Sequence, residues 1–193
     1  VQVVRGQTGD LAGLSTAQIA SLATDDLNQL TATQFQNLST RQIAALSTEQ
    51  VAALESADLM ALSSAQIRAL DTADIVALDT ADFSRLSGEQ LSGMSSAQLR
   101  AIESGDITAI TATAFSGLTS AQIATLGTEQ IAGLASDQLL ALTDVQLRGF
   151  TTAQIAAIAS EDLATLNGTQ WQAFTTAQIA ALSSDQVAAM DSA

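Results

Sequence analysis

The chain of 193 residues contains no cysteine, histidine, tyrosine, proline or lysine. The absence of cysteine excludes a disulfide scaffold, and the absence of both cysteine and histidine removes the usual zinc ligands. The same two absences leave no nucleophile–base pair of the common kind. Aromatic residues make up only 3% of the sequence, so we expect an aliphatic core. We predict no enzyme activity and no cofactor for this segment.

Positive charge is also scarce, because six arginines are the only cations beside 20 acidic residues, for a net charge of −14. Binding to nucleic acid or to an anionic membrane surface needs basic patches, so the charge argues against both partners. No run of 18 apolar residues interrupts the polar pattern, which argues against membrane insertion. A partner cannot be named from the sequence, although the acidic residues suggest contact with a divalent cation or a protein.

An eight-residue repeat runs along the whole chain without insertion or deletion. A large apolar residue recurs at every eighth position from Leu14 to Met190, and a second apolar series follows five residues later, from Ile19 to Val187. The consensus unit reads L-S-T-A-Q-I-A-A, in which we number the leucine as position 1. A fixed short period is typical of a repeat architecture in which each unit contacts only its neighbours.

The period of eight excludes the simplest regular structures. Eight residues advance an α-helix by about 800°, so the apolar series would spiral around a long helix and form no face. Coiled coils need periods near 3.5 or 3.67, and an octad supplies neither. Frequent Ala and Gln, sparse Gly and the absence of strict alternation argue against strands. The remaining interpretation is a series of very short helices.

Each unit carries the signal for a helix start. Ser15 and Gln18 have the spacing of a capping box, and Leu14 and Ile19 that of the hydrophobic staple around it. Positions 2 and 3 are both commonly Ser or Thr, so the sequence leaves open which hydroxyl caps the helix. Helices of about five to seven residues are unstable alone, so positions 1 and 6 must pack between units. Small residues at position 8 would let backbones approach closely.

A longer period predicts how the units are stacked. Residues 15–94 align with 95–174 as an 80-residue superrepeat of ten units. The units closest to consensus carry Gln18, Gln42, Gln66, Gln98, Gln122, Gln154 and Gln178. Their spacing of three or four units predicts ten units per three turns. The fold class is therefore all-α: a solenoid, or helix of helices, with one short helix per repeat.

We expect a single solenoid domain over residues 1–193. The repeat is already in phase at Gln2–Val3 and still in phase at Asp191–Ser192. Natural solenoids have atypical polar repeats at their ends, and this sequence shows none. The prediction is a segment of a longer array.

Candidate sites are few because every motif recurs. The Gln or Asp at position 5 could form a binding ladder, but satisfying backbone groups at each helix start explains it better. The paired Ser and Thr residues could form an ice-binding array, although capping explains them too. The one candidate metal site is a calcium site at Asp71, Asp74, Asp79 and Asp82, whose carboxylates suit Ca²⁺. No calcium-loop motif accompanies it, so a solvated acidic face is favoured.

The octads at Leu14–Leu22, Leu38–Leu46 and Phe174–Leu182 resemble the octapeptide arrays of very large secreted bacterial proteins. Those proteins are often described as adhesins or haem utilisation/adhesion proteins. The resemblance implies a bacterial extracellular or cell-surface stalk that holds functional domains away from the cell. It implies no catalytic residue, and haem binding lacks support because no His, Tyr or Cys offers an axial ligand.

These observations predict a structural, non-catalytic spacer of a large extracellular protein. Two other functions remain open: a scaffold that binds cations or a protein through its acidic face, and an ice- or surface-binding solenoid that uses its hydroxyl residues.

Overall fold

A computed structural model describes residues 11–190 of the chain. The expected repeat phase at residues 1–10 and 191–193 lies outside that range. The described residues form one 3₁₀-helix, Leu11–Gly13, and 22 short α-helices, with no strand. The helices are α1 Thr16–Ala20, α2 Thr24–Leu27, α3 Ala32–Gln36, α4 Thr40–Ile43, α5 Thr48–Ala52, α6 Ser56–Ala61, α7 Ser64–Ile67, α8 Thr72–Ala77, α9 Thr80–Phe83, α10 Gly88–Gly93, α11 Ser96–Ala101, α12 Ser104–Ile107, α13 Ala112–Phe115, α14 Ser120–Ile123, α15 Thr128–Ala132, α16 Ser136–Leu140, α17 Asp144–Leu147, α18 Thr152–Ala157, α19 Ser160–Ala164, α20 Gly168–Ala173, α21 Thr176–Ala180 and α22 Ser184–Met190.

Every α-helix begins at position 3 of its octad, which answers the question that the Ser/Thr doublets left open. The residue at position 2 is the N-cap, and in α11 the Ser95 hydroxyl accepts a hydrogen bond from the backbone N–H of Gln98. The helices are four to seven residues long, slightly shorter than expected. They end early because the position-1 residue returns to extended backbone, as Ile102 does at φ −65° and ψ 127°. That return prepares the next N-cap.

The helices wind into a solenoid in which each packs against the helix three places along the chain. Pairs such as α7 with α10, α8 with α11 and α12 with α15 are neighbours in successive solenoid turns. Hydrogen bonds between these turns join residues from 25 to 31 positions apart, which corresponds to between three and four octads. The predicted all-α solenoid is confirmed, and ten units per three turns lies within this interval.

The two apolar series form one continuous core. Position-6 residues such as Phe35, Phe83 and Phe115 are completely buried, and position-1 residues from Leu22 to Phe174 are nearly so. Position 4 is exposed in every described octad. The core opens beside α21 and α22, where Ile179 is 43% and Val187 48% exposed. No further solenoid turn within residues 11–190 covers them.

Small residues at position 8 allow close backbone contact, as the sequence predicts. A Cβ added to Gly93 would lie only 2.6 Å from the Cβ of Ser64, at position 3 of the octad three units earlier. Gly149 and Ser120 repeat the relationship at 2.7 Å. The contact places the end of one helix against the start of another in the preceding turn, so side-chain size at position 8 limits how closely the turns stack.

Candidate functional site

The position-5 glutamines connect each helix start to the preceding solenoid turn, and they are the most regular polar feature of the molecule. In α11, Oε1 of Gln98 accepts from the backbone N–H of Ser95 at 2.8 Å. This bond and the reciprocal serine bond complete a capping box. The sequence prediction that position 5 satisfies backbone groups at the helix start is confirmed for these Oε1 atoms.

The amide nitrogen of the same glutamine has a second role. Nε2 of Gln98 donates to the carbonyl of Ile67 at 2.8 Å and to that of Leu70 at 2.9 Å, 31 and 28 residues earlier. The same pair of separations recurs at Gln42, Gln50, Gln66, Gln90, Gln122, Gln130, Gln138, Gln154, Gln170, Gln178 and Gln186. We call this set, with Gln98, the glutamine ladder.

Sequence reasoning missed the glutamine ladder. The available signal was the choice of glutamine at position 5, because a cap alone needs only an acceptor, which Glu or Asp also supplies. Glutamine adds two N–H donors at the same place. Most of these side chains are buried; Gln98, for example, is only 2% exposed. Their donors bind two carbonyl groups of the preceding turn, of which the position-6 carbonyl, Ile67 for Gln98, also accepts from the backbone N–H of Leu70.

Aspartates at position 5 make a different contact between turns. Asp74 accepts from the Thr48 hydroxyl at 3.1 Å, and Asp82 from the Ser56 hydroxyl at 2.9 Å. Asp106 and Asp162 are paired in the same way with Thr80 and Ser136. In each pair the hydroxyl residue occupies position 3, 26 residues before the aspartate. In these four pairs the position-3 hydroxyl therefore serves the contact between turns, whereas position 2 serves the cap.

The four aspartates of the candidate calcium site serve as two successive caps. Asp71 and Asp74 exchange backbone hydrogen bonds at the start of α8, and Asp79 and Asp82 do so at the start of α9. Burial raises the pKa of Asp74, against the opposing effect of its hydrogen bonds. Within residues 11–190, no cluster of three or more potential ligand side chains is placed to hold a metal ion. These carboxylates therefore bind backbone N–H groups at the starts of α8 and α9, which is a structural role.

One aspartate departs from the pattern. Asp58 is 7% exposed, as Asp82 is, but its Oδ2 atom is buried with no hydrogen-bond partner. Burial raises the pKa of Asp58 to about 6, and the neighbouring Glu55 carboxylate adds to the rise. A backbone hydrogen bond at Glu55 opposes it.

Position 7 contributes a third set of contacts between turns. Arg100 Nε donates to the carbonyl of Thr125 at 2.7 Å, and Arg148 Nε to that of Ala173 at 3.0 Å. Both carbonyls lie 25 residues later, at position 8. The guanidinium groups therefore bind the ends of helices in the next turn.

No helix among the described residues is long and apolar enough to span a membrane.

Family comparison agrees with this regular construction. The ALTTAQ repeat matches the chain five times, over residues 7–40, 19–55, 51–87, 99–136 and 155–192. The chain belongs to the ALTTAQ repeat family. A search of curated proteins found no match. In this ALTTAQ array, the glutamine that recurs at position 5 of the octads is the residue that caps one helix and binds the preceding solenoid turn. The comparison supports a repeat array and a structural repeat role.

Proposed function

We propose that this ALTTAQ array is a non-catalytic spacer in a large extracellular or cell-surface protein of a bacterium. The glutamine ladder carries the proposal, because it links successive solenoid turns through buried hydrogen bonds along most of the chain. A spacer must keep a defined length, and this arrangement resists separation of the turns at many equivalent points. The described octads repeat the same set of capping and inter-turn contacts, which favours a structural role.

The extracellular location is supported by the resemblance of the octads to arrays of secreted bacterial proteins. The absence of cysteine and lysine and the net charge of −14 are compatible with secretion. Proteolysis of intact host cells, followed by detection with an antibody against the array, tests the location. We expect cleavage without cell lysis. Cleavage only after lysis would contradict the extracellular assignment.

Single-molecule stretching tests the spacer function. Two arrays joined in tandem between folded marker domains should extend as a series of small unfolding steps, because each turn contacts only its neighbours. The variant Gln98→Glu should lower the force of the first steps, and Gln18→Glu should leave them unchanged, since Gln18 is exposed and serves as a cap. One large cooperative step for the whole array would contradict a stack of nearly independent turns.

A second function is favoured by the stacking of acidic helix starts. Three helices that pack in successive turns, α6, α9 and α12, begin with the acidic pairs Glu55 and Asp58, Asp79 and Asp82, and Glu103 and Asp106. Such a row of acidic side chains suits a scaffold for a basic protein, or for a loosely bound cation, since no cluster among residues 11–190 is placed to hold a metal ion. Thermal melting with and without Ca²⁺ distinguishes the functions, because a ligand that binds only the folded state raises the midpoint. An unchanged midpoint in millimolar Ca²⁺ would argue against the cation-binding scaffold.

A further inference from the structure

The unpartnered oxygen of Asp58 has a traceable origin in the sequence. At each of the aspartates 74, 82, 106 and 162, a hydroxyl residue lies 26 positions earlier and donates to the carboxylate. The equivalent residue for Asp58 is Ala32, the first residue of α3. Alanine has no donor to offer. The octad of α3 thus lacks the position-3 hydroxyl that donates to the carboxylate in the other four pairs. Asp58 Oδ2 is left buried and unpartnered.

Asp82 provides an internal comparison within the same row. Both aspartates are 7% exposed, both lie at the third position of their helix, and both follow an acidic N-cap residue, Glu55 or Asp79. The difference lies in the preceding turn, where Ser56 donates to Asp82, whereas the equivalent position for Asp58 is held by Ala32, which has no donor. A buried acceptor without a partner is costly, and more so when it is charged.

No cation in the neighbouring helices offsets this charge. Helix α6 packs against α3 and α9. Helix α3 has the sequence ATQFQ and contains no titratable group. Helix α9 presents Asp82 and its N-cap residue Asp79, both acidic, and the start of α6 itself adds Glu55. Every titratable group of α3, α6 and α9 and of their N-cap residues is therefore an acid, so ionisation of Asp58 adds one more negative charge to an acidic row.

We propose that Asp58 is a proton-controlled contact between two solenoid turns: its protonation strengthens the packing of α6 on α3, and its ionisation loosens that packing. Protonation removes the buried charge and gives Oδ2 a hydrogen to donate toward the preceding turn. In other octads, backbone carbonyls of that turn accept hydrogen bonds from a glutamine side chain. The array is then held more firmly at this point in mildly acidic surroundings than in neutral or alkaline ones.

The direction of the pH dependence follows from the pKa. Burial raises the pKa of Asp58 from 3.8 to about 6, so the folded state binds the proton more tightly than the unfolded state does. The contact therefore gains stability as the pH falls through about 6, and the gain is complete below the ordinary value of 3.8. Above the folded pKa, the full penalty of the buried charge remains.

Hydrogen exchange between pH 8 and pH 5, corrected for the intrinsic rate at each pH, tests the proposal. We expect protection of α3 and α6 to rise by about tenfold on acidification, because pH 5 lies one unit below the folded pKa of about 6 and one pKa unit corresponds to a tenfold change in the equilibrium. In Asp58→Asn, which cannot ionise, this local rise should vanish. In Ala32→Ser, which restores the missing hydroxyl, protection at pH 8 should increase and its pH dependence should shrink.

The reverse substitution is the matched control. Ser56→Ala removes the donor to Asp82 and should make the contact of α9 with α6 depend on pH in the same sense. The same pH response in wild type and Asp58→Asn would overturn the proposal. Carboxyl-carbon NMR of the wild-type chain gives an answer even if a variant fails to fold. Titration of Asp58 near 3.8 would also overturn the proposal, whereas titration near 6 supports it.

Discussion

Gly117 packs directly on the backbone of Gly88 in the preceding solenoid turn. A Cβ at residue 117 would lie 2.5 Å from the Cα of Gly88 and 2.7 Å from its carbonyl oxygen. Both distances are shorter than any normal contact of a methyl group, and the neighbouring atoms belong to the main chain, which cannot rotate away. Two glycines 29 positions apart therefore set the separation of α10 and α13.

We predict that Gly117→Ala lowers the free energy of unfolding by about 1–3 kcal/mol, the usual cost of overpacking. The matched control is Gly105→Ala, because Gly105 lies inside α12 and a Cβ there meets nothing within 4 Å. That control should stabilise the chain by about 0.5–1 kcal/mol, since alanine is the better helix former. Urea unfolding of both variants measures the difference. Equal effects of the two substitutions would refute the close-packing argument.

The glutamine ladder predicts a large effect of Gln98→Glu, which replaces the amide donor with a carboxylate. Glutamate keeps the oxygen that caps α11 but loses both N–H bonds to Ile67 and Leu70 and buries a carboxylate against their carbonyls. We expect a loss of about 2–4 kcal/mol near neutral pH, as for unsatisfied buried polar groups. Gln18→Glu is the control, because Gln18 is exposed and caps α1 in the same way. Denaturant melts that show no difference between the two variants would contradict the donor role.

The Ser95–Ser96 doublet tests which hydroxyl caps the helix. Ser95→Ala removes the acceptor for the backbone N–H of Gln98 and should cost about 1 kcal/mol, the typical value of an N-cap. Ser96→Ala, at the first helical residue, should change stability little because its side chain is exposed. Thermal unfolding of the two variants compares them. A larger loss for Ser96→Ala would assign the cap to position 3.

Core truncation should act locally. Ile107→Ala removes a side chain that is 1% exposed, and we expect a cost of about 2–4 kcal/mol, as for other core truncations. Ile179→Ala occupies the same octad position but is 43% exposed, so it should cost clearly less. Hydrogen exchange should show the loss of protection concentrated in α12 and in the helices packed on it, α9 and α15. A uniform loss over all described residues would indicate one cooperative core instead.

The sequence by itself determined the unit and the class of fold. The period of eight excludes a long helix, the Ser15 and Gln18 spacing predicts a capped helix start, and the apolar positions 1 and 6 identify the core. These inferences depend on local geometry and on burial of apolar side chains, both of which are encoded within about one octad. Small residues at position 8 likewise predicted the close approach that Gly93 and Ser64 make.

Only the tertiary structure decided what the polar residues do between turns. The donors of Gln98 and the hydroxyl of Thr48 meet partners that lie 31 and 26 residues away, and those separations depend on the pitch of the solenoid. Capping explains a Ser, Asp or Gln equally well whether or not a second partner exists, so the local pattern cannot reveal one. The orphaned oxygen of Asp58 shows the same limit. Ala32 is unremarkable in its own octad, and its missing hydroxyl matters only because a buried carboxylate follows 26 residues later, on a helix that packs against α3.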